Sequence, residues 1–489
     1  LASGNIGAEA EASMMAITST RTRSGPNRTL ILLTMSLGVL IAQIDTSVVN
    51  LAIKQIGESL HTGVSVLQWV VDAYNLVYAS LLLTAGGLAD IYGRRRIFVL
   101  GIVLFTVGSL VCGLAPNAAV LVLGRGIAGL GAALEIPTSL AILTVAYPDT
   151  RERTRALGLW ASCNGLAFVI GPTVGGLLVD AAGWRSIFLL IVPICIVALA
   201  LALTAVPESK DPKGRTLDLP GQGLAIAALG ALSLGVIEGP HWGWASPYSI
   251  LSFAIAIAAT ALFFRLQARS DSGLVPLAIL KNRVFSANLG IAAAMTFGMY
   301  AMLFLTPLYL QAVRGSSALL AGFELLPMSV AFVIVSQLSG RIANRFGPRL
   351  PMTAGMAFMG AGLFMLALIP LTDSFVLIEA ALLVIGCGLG LNTAPVNGVA
   401  VTNVPPERSG TASGLVNTAR MVGATLGVAV LGAVFAVFAG SADAGGHIVR
   451  GLVPAYIGGG IGEMLGAIAA FTFIRRGSLH PAPERSARR

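Results

Sequence analysis

Eight ionisable side chains interrupt the apolar runs of this sequence: Asp45, Asp72, Arg125, Glu135, Glu324, Glu379, Arg420 and Glu463. In a run long enough to cross a bilayer, such a group costs on the order of 3 kcal/mol or more unless it faces water or a partner. Each is therefore a functional candidate. At about 1.5 Å per helical residue, Asp45 is expected roughly 9 Å below one membrane surface. Asp72 is expected about 6–8 Å below that surface and Glu324 about 8 Å below it. Three carboxylates gathered there, on three helices, would hold protons or a cation in alternation. Arg125 lies deeper. Its charge would tune a neighbouring carboxylate, or form an internal ion pair with Asp45 or Asp72.

Other candidates are less specific. Glu135 follows Arg125 by ten residues, about 280° around a helix, and so leaves its face; a cavity wall is the role open to it. Glu379 is shallower and expected to be wet, and Glu463 with Arg420 forms a candidate pair between the last two spans. Phe297, Tyr300 and Phe304, with Met299 and Met302, would give one helix a soft aromatic surface suited to bulky apolar ligands. Helix packing accounts for those residues equally well. The candidate substrate contacts are thus Asp45, Asp72, Glu324, Phe297, Tyr300 and Phe304. No HExxH, P-loop or GxSxG pattern occurs, so neither enzymatic hydrolysis nor ATP-driven work is supported. No metal site or cofactor is expected. Cys112, Cys163, Cys195 and Cys387 sit inside apolar runs without ligand spacing and read as small buried hydrophobes.

These groups need helices in lipid to position them. The 489 residues are 56% apolar and only 11% charged, with mean hydropathy +0.85, whereas soluble domains carry about 25% charged residues. A membrane span takes about 20 apolar residues. By that measure fourteen helices are expected, at 30–51, 67–88, 97–115, 118–146, 155–180, 186–206, 220–237, 248–267, 286–312, 319–342, 350–371, 375–399, 410–438 and 452–474. The fold class is an all-α polytopic membrane protein. With the N-terminus inside, 25 of the 31 Lys and Arg residues fall in cytoplasmic segments and four outside. The positive-inside rule then puts both termini in the cytoplasm. The net charge of +9 belongs to those scattered clusters, not to a nucleic-acid surface. Leu1–Ser13 reads as an appendage, with the natural start expected at Met14 or Met15.

Internal repetition organises the spans. Gly86-Gly-Leu-Ala-Asp90-Ile-Tyr-Gly93-Arg94-Arg95 recurs 254 residues later as Gly340-Arg-Ile-Ala-Asn344-Arg-Phe-Gly347-Pro348-Arg349, and Gly158 and Gly171 recur as Gly414 and Gly427. Two six-helix halves are expected, at 29–207 and 286–475, separated by a linker with two inserted helices at 208–285. Residues 1–28 and 476–489 would be cytoplasmic tails. Parallel halves around a midplane site are a transporter architecture.

The motifs carry a more specific resemblance. Gly86, Asp90, Gly93 and Arg94 resemble motif A of the major facilitator superfamily. Leu123-Gly-Arg125-Gly-Ile-Ala-Gly129 resembles its motif B, with Ala128 in place of the usual Gln. Gly165 and Gly171-Pro172-Thr-Val-Gly175-Gly176 resemble the antiporter motif C. Asp45-Thr46-Ser-Val-Val-Asn50, Glu238-Gly-Pro-His-Trp-Gly-Trp244 and Leu310-Gln-Ala-Val-Arg-Gly315 are similar to the fourteen-span drug:proton antiporters. The resemblance spans about 28–474. It implies a proton-coupled exporter of lipophilic, cationic drugs in the bacterial inner membrane, acting as a monomer among lipids and powered by the proton gradient. Export of a lipid or another amphiphile is the alternative. Asp45, Arg125 and Asp72 would couple protons, and Asp90 with the motif A arginines would latch the cytoplasmic side. Asn344 weakens any such latch in the second copy. Motif C would serve close helix approach or conformational change.

Overall fold

Polar side chains stand where the apolar runs begin, and they start the helices. Asn27, Asn117 and Asp149 each accept a backbone N–H of the first turn that follows, satisfying donors that a helix start leaves open. Gly93 and Gly347, at φ +114 and +79, turn the chain between helices where a side chain would be strained. The computed structural model describes residues 27–211, 217–270, 273–369, 374–405, 408–439, 445–475 and 477–478. The appended start, the linker residues Lys213 and Arg215, and most of the final tail lie outside them.

Fourteen helices long and apolar enough to span a membrane follow. They are α1 (Arg28–Leu60), α2 (Val64–Tyr92), α3 (Arg94–Gly113), α4 (Ala118–Ala146), α5 (Thr150–Ala182), α6 (Arg185–Ala205) and α7 (Leu219–Trp242). After these come α8 (Pro247–Arg269), α9 (Arg283–Ala312), α10 (Ala318–Phe346), α11 (Arg349–Ala367), α12 (Phe375–Thr402), α13 (Ser409–Ala439) and α14 (Gly445–Phe473). Among the described residues there is no strand. Each expected span is present, usually longer than its apolar core. α1 gains most: Ala52, Ile53 and Ile56 are fully buried, Lys54 and Glu58 pair at 3.7 Å on its surface, and the helix runs on to Leu60.

The packing repeats. In α1–α6, α1 lies on α5 and α6, α2 on α4, and α3 on α4 and α6; in α9–α14, α9 lies on α13 and α14, α10 on α12, and α11 on α12 and α14. The two sets meet along α2–α13, α5–α10 and α1–α9. The inserted α7 and α8 pack on each other, and α7 rests against both α2 and α13. One end of the bundle carries Arg28, Arg94–Arg96, Arg151–Arg155 and Arg341–Arg349; this is the basic face, and the opposite end is the far face.

Candidate functional site

An ion pair sits inside the first half. Arg125 of α4 donates from Nη1 to Asp45 Oδ2 of α1 at 2.5 Å, and both side chains are 1% exposed. Its Nε donates to the Val70 carbonyl of α2 at 2.9 Å. Its guanidinium carbon lies 4.6 Å from the centre of the Tyr74 ring, a cation–π contact. Asp45 Oδ1 has no hydrogen-bond partner. Of the two partners open to Arg125 in the sequence, Asp45 is the one it takes. Asp45 is deeper than expected. With α1 extended to Leu60, it lies fifteen residues, about 22 Å, from the far end, near mid-helix.

The expected cluster of Asp45, Asp72 and Glu324 does not form. Val70 and Tyr74 face Arg125, and Asp72 is two residues, about 200°, from each. It therefore points away, toward Ser233 of α7. Asp72 is fully buried there, and neither carboxylate oxygen is hydrogen-bonded. Glu324 ends the first turns of α10 before a break at Leu325. It accepts from Ser316 Oγ at 3.2 and 3.3 Å, so it is held by the α9–α10 connection within the second half. Three carboxylates thus occupy three separate places.

The aromatic positions divide as well. The half-buried Phe297 ring points at Gly462 of α14, and Phe304 is completely buried in the hydrophobic core. Tyr300 alone has electrostatic neighbours across the halves, Tyr78 of α2, and Arg420 of α13 within its own half. Arg420 and Glu463 do not pair. Both Glu463 oxygens and the Arg420 Nε and Nη2 lack partners, because Glu463 is turned onto Gly298 of α9. Glu379 is half-buried, with Oε1 buried and without a partner. Cys112 and Cys195 are buried as expected, but Cys163 and Cys387 are only half-buried.

Motif A is a tied corner. Asp90 Oδ1 accepts from Arg94 Nε and Nη2 at 3.0 and 2.8 Å. Glu208, just past α6, accepts the Arg95 and Arg96 amides at 3.1 and 3.2 Å, placing a carboxylate on the start of α3. A Cβ on Gly93 would meet that carboxylate at 2.7 Å. Glu208 is the motif A partner that sequence reasoning missed, since it lies more than a hundred residues away. In the second copy Asn344 is exposed, whereas Asp90 is 5% exposed.

Motif C seals the far face. Cβ atoms on Gly171 and Gly175 would strike Ser47 and Val48 of α1, and one on Gly176 would strike the Ala318 carbonyl of α10 at 2.5 Å. A Cβ on Gly322 would come still closer to the Pro172 carbonyl. Gly165, nearer mid-depth, leaves room for Val333. Around this seam Asp180 accepts the Ala318 and Leu319 amides at 3.0 and 2.9 Å. Gln68 donates to the Val428 and Ala429 carbonyls, and Gln311 to the Leu51 carbonyl. Among the described residues, the hydrogen bonds that join the two halves all lie in the far half of the bundle. The first turns of α5 at the basic face are exposed, Arg151 and Glu152 included. The bundle is closed at one end.

Of the inserted helices, α7 is hydrogen-bonded to α2. Gln222 of α7 donates to the Ser80 carbonyl at 2.6 Å and accepts from Thr84. Trp69 Nε1 donates to Glu238 at 2.9 Å. Glu238 stands in the motif singled out at the end of α7, but its partner Trp69 and the Gln222 contacts lie more than a hundred residues away in sequence.

Comparison with known proteins agrees with this geometry. Residues 35–428 match the model of the Major Facilitator Superfamily. The chain is 42% identical to "Multidrug resistance protein Stp" of Mycobacterium tuberculosis, over 84% of this chain and 76% of that one. It is 34% identical to "Methylenomycin A resistance protein" of Streptomyces coelicolor, over 90% and 91%. Among solved structures, a D-xylose-proton symporter superposes with a TM-score of 0.66 at 16% identity, covering 92% of this chain and 98% of that one; this likeness concerns the fold. A repeated six-helix bundle, a buried Asp–Arg pair between α1 and α4, and a glycine-packed seal on α5 are features of one multi-pass membrane transporter: this chain belongs to the Major Facilitator Superfamily.

Proposed function

We propose that the protein is a proton-coupled antiporter exporting lipophilic, cationic compounds across the bacterial inner membrane. The observation that carries this reading is the buried Asp45–Arg125 pair at 2.5 Å, in a bundle whose halves are tied at the far face by Gln68, Gln311 and Asp180. Protonating Asp45 removes one charge of the pair and weakens the tie between α1 and α4. That is a means of coupling a proton to rocking of the halves, 29–207 and 286–475, around a central path. The relatives named for drug resistance support the substrate class. The lysines and arginines support a cytoplasmic basic face with both termini inside, so the structure corresponds to an inward-open state. Both halves are in one chain, which supports action as a monomer in lipid. The energy source is the proton gradient, with no cofactor.

A second reading, export of a lipid by the same fold, is favoured by a 260 Å³ groove between α7 and α13. It is lined by apolar residues, among them Val236, Trp244, Val430 and Phe438. Proteoliposomes with an imposed pH gradient separate the two. Gradient-dependent movement of quaternary ammonium dyes supports drug antiport, and movement of neutral amphiphiles alone supports the lipid reading. Dye movement that ignores the gradient contradicts antiport.

A further inference from the structure

Glu135 has no role in the machinery described so far, and the bundle makes room for it. It is 1% exposed, and its Oε1 has no hydrogen bond. A Cβ on Gly38 of α1 would strike that oxygen, so a residue without a side chain faces the carboxylate. α3 contributes Phe98 and Gly101. The Tyr78 hydroxyl of α2 and the Cys195 thiol of α6 lie within its field. No cation is among these neighbours. A buried carboxylate with no compensating charge is costly to keep, and packing alone would be better served by an apolar side chain.

Its position in the bundle gives the reason. On α1, Asp45, Gly38 and Ile31 are spaced by seven residues, which share one face at about 10 Å intervals. On α4, Glu135 and Ile142 have the same spacing. Ile31 and Ile142 both line a 430 Å³ pocket at the basic face, together with Arg28, Val145, Glu208 and Ser209. One α1–α4 seam therefore runs from the Asp45–Arg125 pair, past Glu135, to a polar-mouthed pocket. We propose that Glu135 is a proton-relay carboxylate, taking the proton released by Asp45 and passing it to water in the basic-face pocket along a path inside the first half. Each transfer moves one proton: Asp45 returns to carboxylate as Glu135 becomes the acid, and Glu135 returns to carboxylate as water takes the proton. Substrate would move between the halves, and protons within one of them. The inference rests on the antiport reading above.

The test uses the full chain in proteoliposomes with ethidium as probe, measuring uptake driven by a pH gradient and ethidium counterflow at equal pH. Internal pyranine reports protons. Glu135→Gln is expected to keep counterflow while losing gradient-driven uptake and the coupled pyranine signal by about tenfold or more. Glu135→Asp should regain part of both. Gradient-driven uptake by Glu135→Gln at the wild-type rate overturns the relay, and so does loss of counterflow together with driven uptake. Absence of driven uptake in the wild type itself is a different result: it overturns antiport, and the relay with it.

Discussion

Arg125 of α4 ties three helices with one guanidinium: it closes on Asp45 of α1 at 2.5 Å and holds the Val70 carbonyl of α2 at 2.9 Å. Removing one partner of a buried pair strands the other's charge, at a cost of about 3–5 kcal/mol. Asp45→Asn keeps the size of the side chain but cannot exchange a proton. We expect it to abolish gradient-driven export and to lower the thermal unfolding midpoint. The double variant Asp45→Asn/Arg125→Gln should recover part of that midpoint and none of the transport. Recovery of both would make the pair purely structural.

Asp72 faces Ser233 of α7, away from Arg125. Asp72→Asn is therefore expected to slow neutral and cationic substrates alike, through the α2–α7 contact. The check is the ratio of ethidium to neutral-amphiphile transport in wild type and variant. A loss confined to cations would return Asp72 to the substrate path.

Asp90 holds Arg94 across the tight turn at Gly93. Asp90→Asn weakens a charge-assisted contact that is 7% and 13% exposed on its two sides, where a net contribution of about 1–2 kcal/mol is reasonable. Transport should fall several-fold while expression and the unfolding midpoint change little. An unchanged transport rate in well-expressed protein would remove the gating role.

Asp218 supplies a pH dependence outside the spans. Burial opposes its charge, but hydrogen bonds from the Gln267 side chain and the Gly221 and Leu274 amides outweigh it and hold the carboxyl below its ordinary value of 3.8. A native value below the unfolded one gives a stabilisation that is full above the unfolded value and is lost as pH falls through the native one. The stability gap between wild type and Asp218→Asn should be constant above about pH 5 and should shrink below 3.8. Acid unfolding followed by circular dichroism measures it.

Helix count was legible because twenty apolar residues leave few alternatives in a bilayer; the depth of Asp45 was not, because α1 runs past its apolar core to Leu60. Nor was direction. Asp72 is apolar-flanked in sequence whichever way it points, and only the docking of Val70 and Tyr74 on α4 fixes its opposite face. Glu324 read as one of three gathered carboxylates because Ser316, its partner, lies in the connection before the helix. Arg420 and Glu463 share a depth range, but Gly298 draws the Glu463 side chain onto α9. The Asp45–Arg125 pair was half-readable: the two residue types implied it, and the choice between Asp45 and Asp72 needed the rotation of α2. Glu135 was conspicuous as a charge, yet Gly38, which accommodates it, carries no signal alone.

The most direct measurement is proton release on substrate binding in weakly buffered detergent solution, followed with a pH dye and ethidium as ligand. Antiport through Asp45 predicts release on the order of one proton per ethidium bound to the wild type, by linkage of the two equilibria, and none for Asp45→Asn that still binds ethidium. Binding without proton release by the wild type, or equal release by the Asp45→Asn protein, would contradict it.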